Sequence, residues 1–134
     1  MDIISWSENL SVGVKQFDDE HKHLIDLVNK LNNALVVGGS VKTMEHILKS
    51  LVSYTAVHFK HEEEYMTKYH YPEYLAHKKE HDGLTRQVSE FSDRFKSGKV
   101  SFSLELMTFL RDWLANHIMG SDKNYKDFFV SRGL

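Results

Sequence analysis

The chain has 134 residues, of which 41% are hydrophobic, and a formal net charge of −2 with its histidines neutral. This length and apolar content suit one domain with one core, which we expect to span residues 1–134. The near-neutral charge, without a basic stripe, argues against nucleic acid as a partner, and the absence of cysteine excludes disulfides, iron–sulfur ligation and thiolate zinc.

The N-terminal stretch carries no targeting signal and is predicted to be an arm. The start MDIISWSENL is acidic and lacks the basic-then-apolar pattern of a signal peptide, and no apolar run approaches the ~20 residues that span a bilayer. We therefore expect a cytoplasmic protein without membrane insertion. Over residues 1–17 the apolar positions lack helical spacing and Gly13 interrupts them, so this segment should pack along the outside of a core.

Two amphipathic helices are predicted after the arm. Asp18 can cap the first helix, which runs to about Val37 before Gly38 and Gly39 end it. Ser40 can cap the second helix in the same way. The inner stripe of the second helix is Met44, Ile47, Leu51 and Tyr54.

Two further helices complete a bundle. The third begins near Pro72, after a turn at about residue 70, and ends before Ser97-Gly98. The fourth begins near Ser101 or Ser103, and residues 122–130 form a short C-terminal helix that covers one end of the bundle. The inner face of the fourth helix is Leu106, Leu110 and Trp113. Four long amphipathic segments joined by short links predict an all-α, antiparallel, up-down-up-down four-helix bundle.

The inner stripes of all four helices continue onto polar residues at one end of this bundle. His58 and Glu62 are four residues apart on the second helix, as are His77 and His81 on the third, so each pair shares one helix face. Antiparallel connectivity places both pairs at the level where the first helix starts and the fourth ends. The residues that converge there are His21, His58, Glu62, His77, His81, His117 and Asp122.

This convergence indicates a metal site. Burying five imidazoles and two carboxylates without partners is costly, since each unsatisfied group costs ~1–3 kcal/mol against a net stability of only ~5–15 kcal/mol. Seven ligands suit two ions that share Glu62 and Asp122 as bridges, with the histidines divided three and two. A slip of one position on the second helix would put Glu63 in place of Glu62. Nitrogen and oxygen ligands that leave one coordination position free suit iron, although the ligand types do not exclude manganese, zinc or cobalt.

The remaining histidines lie off the inner stripes or in the turn. We expect them to face solvent, and they are His23, His46, His61 and His70.

With these motifs in this order, the chain resembles the hemerythrin family in its single-domain bacterial form. The resemblance runs from Trp6 to about Tyr125 and rests on the Trp6-Ser7 arm, Asp18 three residues before the first histidine, HFKHEE, Met66, Tyr71-Pro72, HKKEH and WLANHIMGSDKNY. One departure is Glu20, where the family often has Gln. The resemblance implies two iron ions with an oxo or hydroxo bridge, one held by His77, His81 and His117, the other by His21 and His58, with Glu62 and Asp122 bridging.

The function implied by the resemblance is reversible dioxygen binding rather than catalysis. Dioxygen would occupy the vacancy at the iron with two histidines and be held as a hydroperoxide, in a pocket that also admits small anions such as azide. The implied roles are storage, transport or delivery, and sensing of oxygen, with an oxygen-requiring enzyme as recipient. The pocket positions that match the family are apolar here: Leu24, Phe59, Trp113, Leu114 and Ile118.

Two other classes of function compete with this reading. A di-iron oxidase, peroxidase or nitric-oxide-handling enzyme would use the same kind of site, but such oxidases usually carry more carboxylates and Glu-x-x-His pairs. Five neutral imidazoles instead favour a reversible ferrous-to-ferric cycle. A sensor domain would be fused to a signalling module, which we do not expect in a chain that ends at Leu134.

Overall fold

The structure, a computed structural model, describes residues 3–98 and 104–134, with side chains from residue 107 onward in the second range. The described residues form four long helices and no strand, so the predicted all-α four-helix bundle is confirmed. The proposed caps Ser101 and Ser103 and the side chain of Leu106 lie outside the described parts. The helices are α1 (Lys15–Val36), α2 (Val41–Lys68), α3 (Tyr74–Lys96) and α4 (Leu104–His117).

The start of α1 differs from the prediction. α1 begins at Lys15, one turn earlier than expected, and no side chain caps it. The Asp18 carboxylate instead accepts hydrogen bonds from the Val12 backbone N–H at 2.8 Å and from the Ser11 hydroxyl at 2.7 Å. The prediction of Asp18 as the cap is therefore wrong: an acidic side chain in the first turn is also favoured by the helix dipole, and here it ties the arm to α1.

α2 begins as predicted, with the Ser40 hydroxyl accepting from the Thr43 N–H at 3.1 Å. Its buried face includes Met44 and Leu51 as predicted, but Leu48 and Thr55 are buried in place of Ile47 and Tyr54. Ile47 and Tyr54 are only partly buried, because they lie at the edge of the face that meets the core. The buried residues of α2 are Met44, Leu48, Leu51, Thr55, His58, Phe59, Glu62 and Met66.

The turn between α2 and α3 places the two helices side by side. Its last residue before the proline segment is Tyr71, and His70 adopts a left-handed conformation with φ of 57°. α3 begins at Tyr74, two residues after Pro72, and ends at Lys96 just before Ser97, as predicted. Because both helices leave the same turn, His58 and Glu62 lie opposite His77 and His81.

The end of α4 changes its winding before the chain reaches the C-terminal helix. Ile118–Asp122 forms a π-helical turn, followed by a 3₁₀ turn (Lys123–Tyr125) and the short helix α5 (Lys126–Val130). A π-helical turn contains an extra residue, which shifts the direction of the side chains that follow. Asp122 is thereby brought inward and is fully buried. None of the described helices is long and apolar enough to cross a membrane.

Candidate metal centre

Two groups of buried ligand atoms lie side by side at the predicted end of the bundle and share their carboxylates. Within each group the ligand atoms all lie within 4.8 Å of one another. The structure therefore brings together all seven side chains selected from the sequence. One group is Glu62, His77, His81, His117 and Asp122, and the other is His21, His58, Glu62 and Asp122.

Glu62 faces both groups with different oxygens. Its Oε1 lies 3.1 Å from His81 Nε2 and 3.9 Å from His77 Nε2. Its Oε2 lies 3.4 Å from His58 Nε2 and 3.6 Å from His21 Nε2. This division of the two oxygens is the arrangement that a bridging carboxylate requires.

Asp122 divides its oxygens in the same way, although it comes from the opposite side of the bundle. Its Oδ1 lies 2.9 Å from His77 Nε2 and 3.1 Å from His117 Nε2, while its Oδ2 lies 3.0 Å from His21 Nε2. The π-helical turn determines this position, because it directs Asp122 back toward His117 only five residues earlier in the sequence.

Apart from their close approach to one another, these inward-facing atoms have no hydrogen-bond partner among the described residues. They include the Nε2 atoms of all five histidines and oxygens of both carboxylates. Buried polar atoms are normally paired, so a convergent set of unpaired nitrogen and oxygen atoms fits metal ions that would bind them. The chemistry of the donor set thus agrees with a centre for two ions.

Three of the histidines are oriented by glutamates behind them. His58 Nδ1 donates to Glu20 at 2.6 Å, and His81 Nδ1 donates to Glu63 at 2.8 Å. His117 Nδ1 donates to Glu80 at 2.6 Å. A proton held on Nδ1 leaves the Nε2 lone pair free for a metal, so these glutamates select the tautomer that ligation needs.

The buried carboxylates raise the pKa of the histidines that face them. Burial disfavours the His58 imidazolium, but Glu62 and Glu20 outweigh burial and raise its pKa to about 10. Burial is likewise outweighed at His77, where Asp122 and Glu62 raise the pKa to about 9. At His117 the same balance, led by Asp122, raises the pKa to about 10. Without metal, protons therefore supply the positive charge that this centre needs.

A buried tyrosine completes the surroundings of Glu62. The Tyr125 hydroxyl donates to Glu62 Oε2, and Tyr125 is fully buried. Burial raises the pKa of Tyr125 well above its ordinary value, and the nearby carboxylates of Glu62 and Asp122 act in the same direction. The phenol therefore stays a hydrogen-bond donor, which limits rotation of the carboxylate.

A narrow apolar cavity adjoins the group that contains only two histidines. It leaves no room for a water molecule as packed in this structure, and its exposed lining is apolar. All five residues predicted for the ligand pocket line it, namely Leu24, Phe59, Trp113, Leu114 and Ile118. The other lining residues are His21, His58, His117 and Asp122, so the cavity meets the centre directly.

Some outcomes differ from the sequence-based expectations. Glu63 lies outside both groups and contacts the outer nitrogen of His81, which resolves the choice between Glu62 and Glu63. His61 was predicted to face solvent, but it is only partly exposed and its Nδ1 donates to Glu20. His23, His46 and His70 are exposed as expected.

Sequence reasoning missed the residues that support the histidines. Glu20, Glu63 and Glu80 received no such role, and neither did Tyr125. The available signal was adjacency: Glu20 and Glu80 directly precede His21 and His81, and Glu63 follows Glu62. Each glutamate contacts a histidine of a neighbouring helix, however, so adjacency alone would have suggested the wrong partner for Glu20 and Glu80.

A helical bundle that gathers five imidazoles and two shared carboxylates at one end belongs to the class of histidine-rich dimetal bundles. Residues 12–129 match the family model of the hemerythrin HHE cation binding domain. The chain therefore belongs to the hemerythrin family.

Relatives and solved structures agree with this assignment. The bacteriohemerythrin of Stenotrophomonas maltophilia (strain R551-3) is 35% identical over 127 residues, covering 95% of this chain and 82% of that protein. The bacteriohemerythrin of Methylococcus capsulatus (strain ATCC 33009 / NCIMB 11132 / Bath) is 35% identical over 126 residues, covering 93% and 95%. A crystal structure of wild-type hemerythrin superposes with a TM-score of 0.88 at 34% identity, covering 93% of this chain and 96% of that one.

Proposed function

We propose that this chain is a di-iron protein that binds dioxygen reversibly. The observation that carries the proposal is the pair of ligand groups sharing Glu62 and Asp122, with a narrow apolar cavity beside the group that has only two histidines. One iron would be held by three histidines and the other by two. The proposed iron ligands are His77, His81 and His117 for the first ion, His21 and His58 for the second, and Glu62 and Asp122 for both.

The residues of the chain determine whether dioxygen binding is reversible. A ferrous pair, when bound, supplies the two electrons that dioxygen accepts and returns. Reversal requires that no additional proton arrives from water, and an apolar lining meets that requirement. Phe59 is part of this apolar lining, and its ring also stacks on the His81 ring at a centroid distance of 3.8 Å.

We propose binding rather than turnover as the physiological activity. Carboxylate-rich iron sites favour high-valent iron and cleavage of the O–O bond, whereas this centre offers five neutral donors and only two carboxylates. Stored or delivered dioxygen would pass to an oxygen-requiring enzyme. Azide and similar small anions should occupy the same cavity on the oxidised protein.

The proposal is tested by reducing the purified protein anaerobically and then admitting air. We expect about two iron ions per chain, an intense visible charge-transfer band in air, and loss of that band under vacuum over repeated cycles. Irreversible bleaching with continuous consumption of a reductant would instead identify an oxidase. A protein that retains no iron would exclude both readings.

Leu114 is expected to protect the centre from autoxidation. It is buried in the cavity wall one turn before His117. Leu114→Ala should admit water and Leu114→Tyr should bring in a hydroxyl. Each should accelerate autoxidation about tenfold, equivalent to about 1.4 kcal/mol of barrier height, with iron content unchanged. Leu110→Ala is the matched control, because Leu110 is equally buried in α4 but does not line the cavity. Equal autoxidation rates in Leu114→Ala and Leu110→Ala would remove Leu114 from this role.

A further inference from the structure

One glutamate stands apart from the other two that support histidines of the centre. Glu20, on α1, uses both carboxylate oxygens for histidines of α2: Oε1 accepts from His58 Nδ1 and Oε2 from His61 Nδ1, each at 2.6 Å. His58 and His61 are three residues apart and therefore share the helix face that meets α1. Gln16 adds a weaker contact at 3.4 Å.

The charge of Glu20 is less screened by solvent and by other charges than the charges of Glu63 and Glu80. Its side chain is 11% exposed, compared with 18% for Glu63 and 40% for Glu80. Glu63 also pairs with Lys78 at 3.3 Å, whereas the described contacts of Glu20 are two imidazoles and one amide. A buried, weakly screened carboxylate has a stronger effect on its hydrogen-bond partner than an exposed one.

Glu20 also acts on the half of the centre that has the fewest donors. Within the part of the chain that the structure describes, this group contains two histidines, His21 and His58, and Nδ1 of His21 has no hydrogen-bond partner. Among the described residues, Glu20 is thus the only carboxylate behind a histidine of this group. A carboxylate that accepts from Nδ1 makes the imidazole a stronger donor to its metal through Nε2.

We propose that Glu20 is a positioning residue that sets the donor strength of His58, and with it the reduction potential and ligand preference of the iron held by His21 and His58. This inference rests on the proposed function. His61 has a supporting part: it covers the second oxygen of Glu20, and with 36% of its side chain exposed it separates that carboxylate from solvent.

The decisive variant is Glu20→Gln, which keeps an oxygen for His58 Nδ1 and removes the charge. Without the negative charge of Glu20, His58 becomes a weaker donor to its iron. The ferric ion is then more electrophilic and the ferrous pair less reducing. We expect a higher reduction potential, dioxygen affinity lower on the order of tenfold, and azide affinity of the oxidised protein higher by a similar factor. His61→Ala, at a partly exposed site, should shift all three in the same direction by less, because water then screens Glu20.

The control is Asp19→Asn. Asp19 is the residue before Glu20 and carries the same charge, but its side chain is exposed and pairs with Lys15. It should leave potential and affinities unchanged. A parallel loss of dioxygen and azide affinity in Glu20→Gln, or a potential equal to that of the unmodified protein, would overturn the proposal. If Glu20→Gln does not fold, the shift or constancy of His61→Ala decides. Potential and azide titration remain measurable even if dioxygen binding proves irreversible, so the two proposals fail separately.

Discussion

Glu62→Gln is expected to lower the iron content from about two ions per chain to one or none and to abolish the visible band in air. Glu62 is fully buried and is shared by both ligand groups, with one oxygen facing each. An amide has nearly the same shape but only one oxygen, and its NH₂ group would face imidazole nitrogens that must bind metal. Metal analysis and absorption spectra after anaerobic loading measure the effect.

Glu64→Gln is the matched control for this substitution. Glu64 lies two residues away on α2, carries the same charge and is exposed. We expect it to retain full iron content and an unchanged spectrum. Two ions bound by Glu62→Gln with normal dioxygen binding would exclude a bridging role for Glu62.

Removal of iron is expected to lower the melting temperature by roughly 10 °C. A ligand present at 1,000 times its Kd contributes about 4 kcal/mol, and each kcal/mol shifts the melting of a small domain by ~2–8 °C. The metal-free protein recovers part of this free energy of unfolding through imidazolium–carboxylate pairs, because the pKa values of His58 and His117 rise to about 10. Calorimetry before and after chelation, followed by reloading with iron, measures the difference.

This stabilising effect of iron should increase with pH. Because the pKa values of His58 and His77 are raised, the protonated histidines stabilise the metal-free protein. This contribution is complete below about pH 6.5 and is lost as pH rises through about 9 to 10. Iron binding needs neutral imidazoles and therefore strengthens over the same interval. The gap in melting temperature between the two forms should widen from pH 6 to pH 9. A constant gap would show that these histidines do not exchange protons for metal, and Glu62→Gln should show little gap at any pH.

The sequence predicted much of the bundle because local patterns determine helices and their buried faces. Ser40 at a helix start and Ser97-Gly98 after a helix end were read correctly, since capping depends on adjacent residues. Asp18 was misread because its carboxylate accepts bonds from the arm, which a helix-capping rule does not consider. Met44 and Leu51 of the predicted α2 stripe are buried, whereas Ile47 and Tyr54 were chosen instead of their neighbours Leu48 and Thr55, because two adjacent residues can share the edge of a buried face.

Spacing and chain topology were sufficient to select the seven side chains that converge at one end of the bundle. They could do so because residues four apart share a helix face and antiparallel helices return to the same level. The five cavity-lining residues came instead from a family resemblance, which the match of residues 12–129 to the hemerythrin family supports.

Only the tertiary structure decided what each polar atom faces. Glu20, Glu63 and Glu80 contact histidines 38, 18 and 37 residues away in sequence, and Asp122 reaches both groups from a π-helical turn. The sequence by itself determined which side chains converge at one end of the bundle, because helical periodicity encodes faces. It did not determine how their protons and charges are distributed, because hydrogen bonds between helices depend on ångström-scale distances that exist only once the bundle is packed.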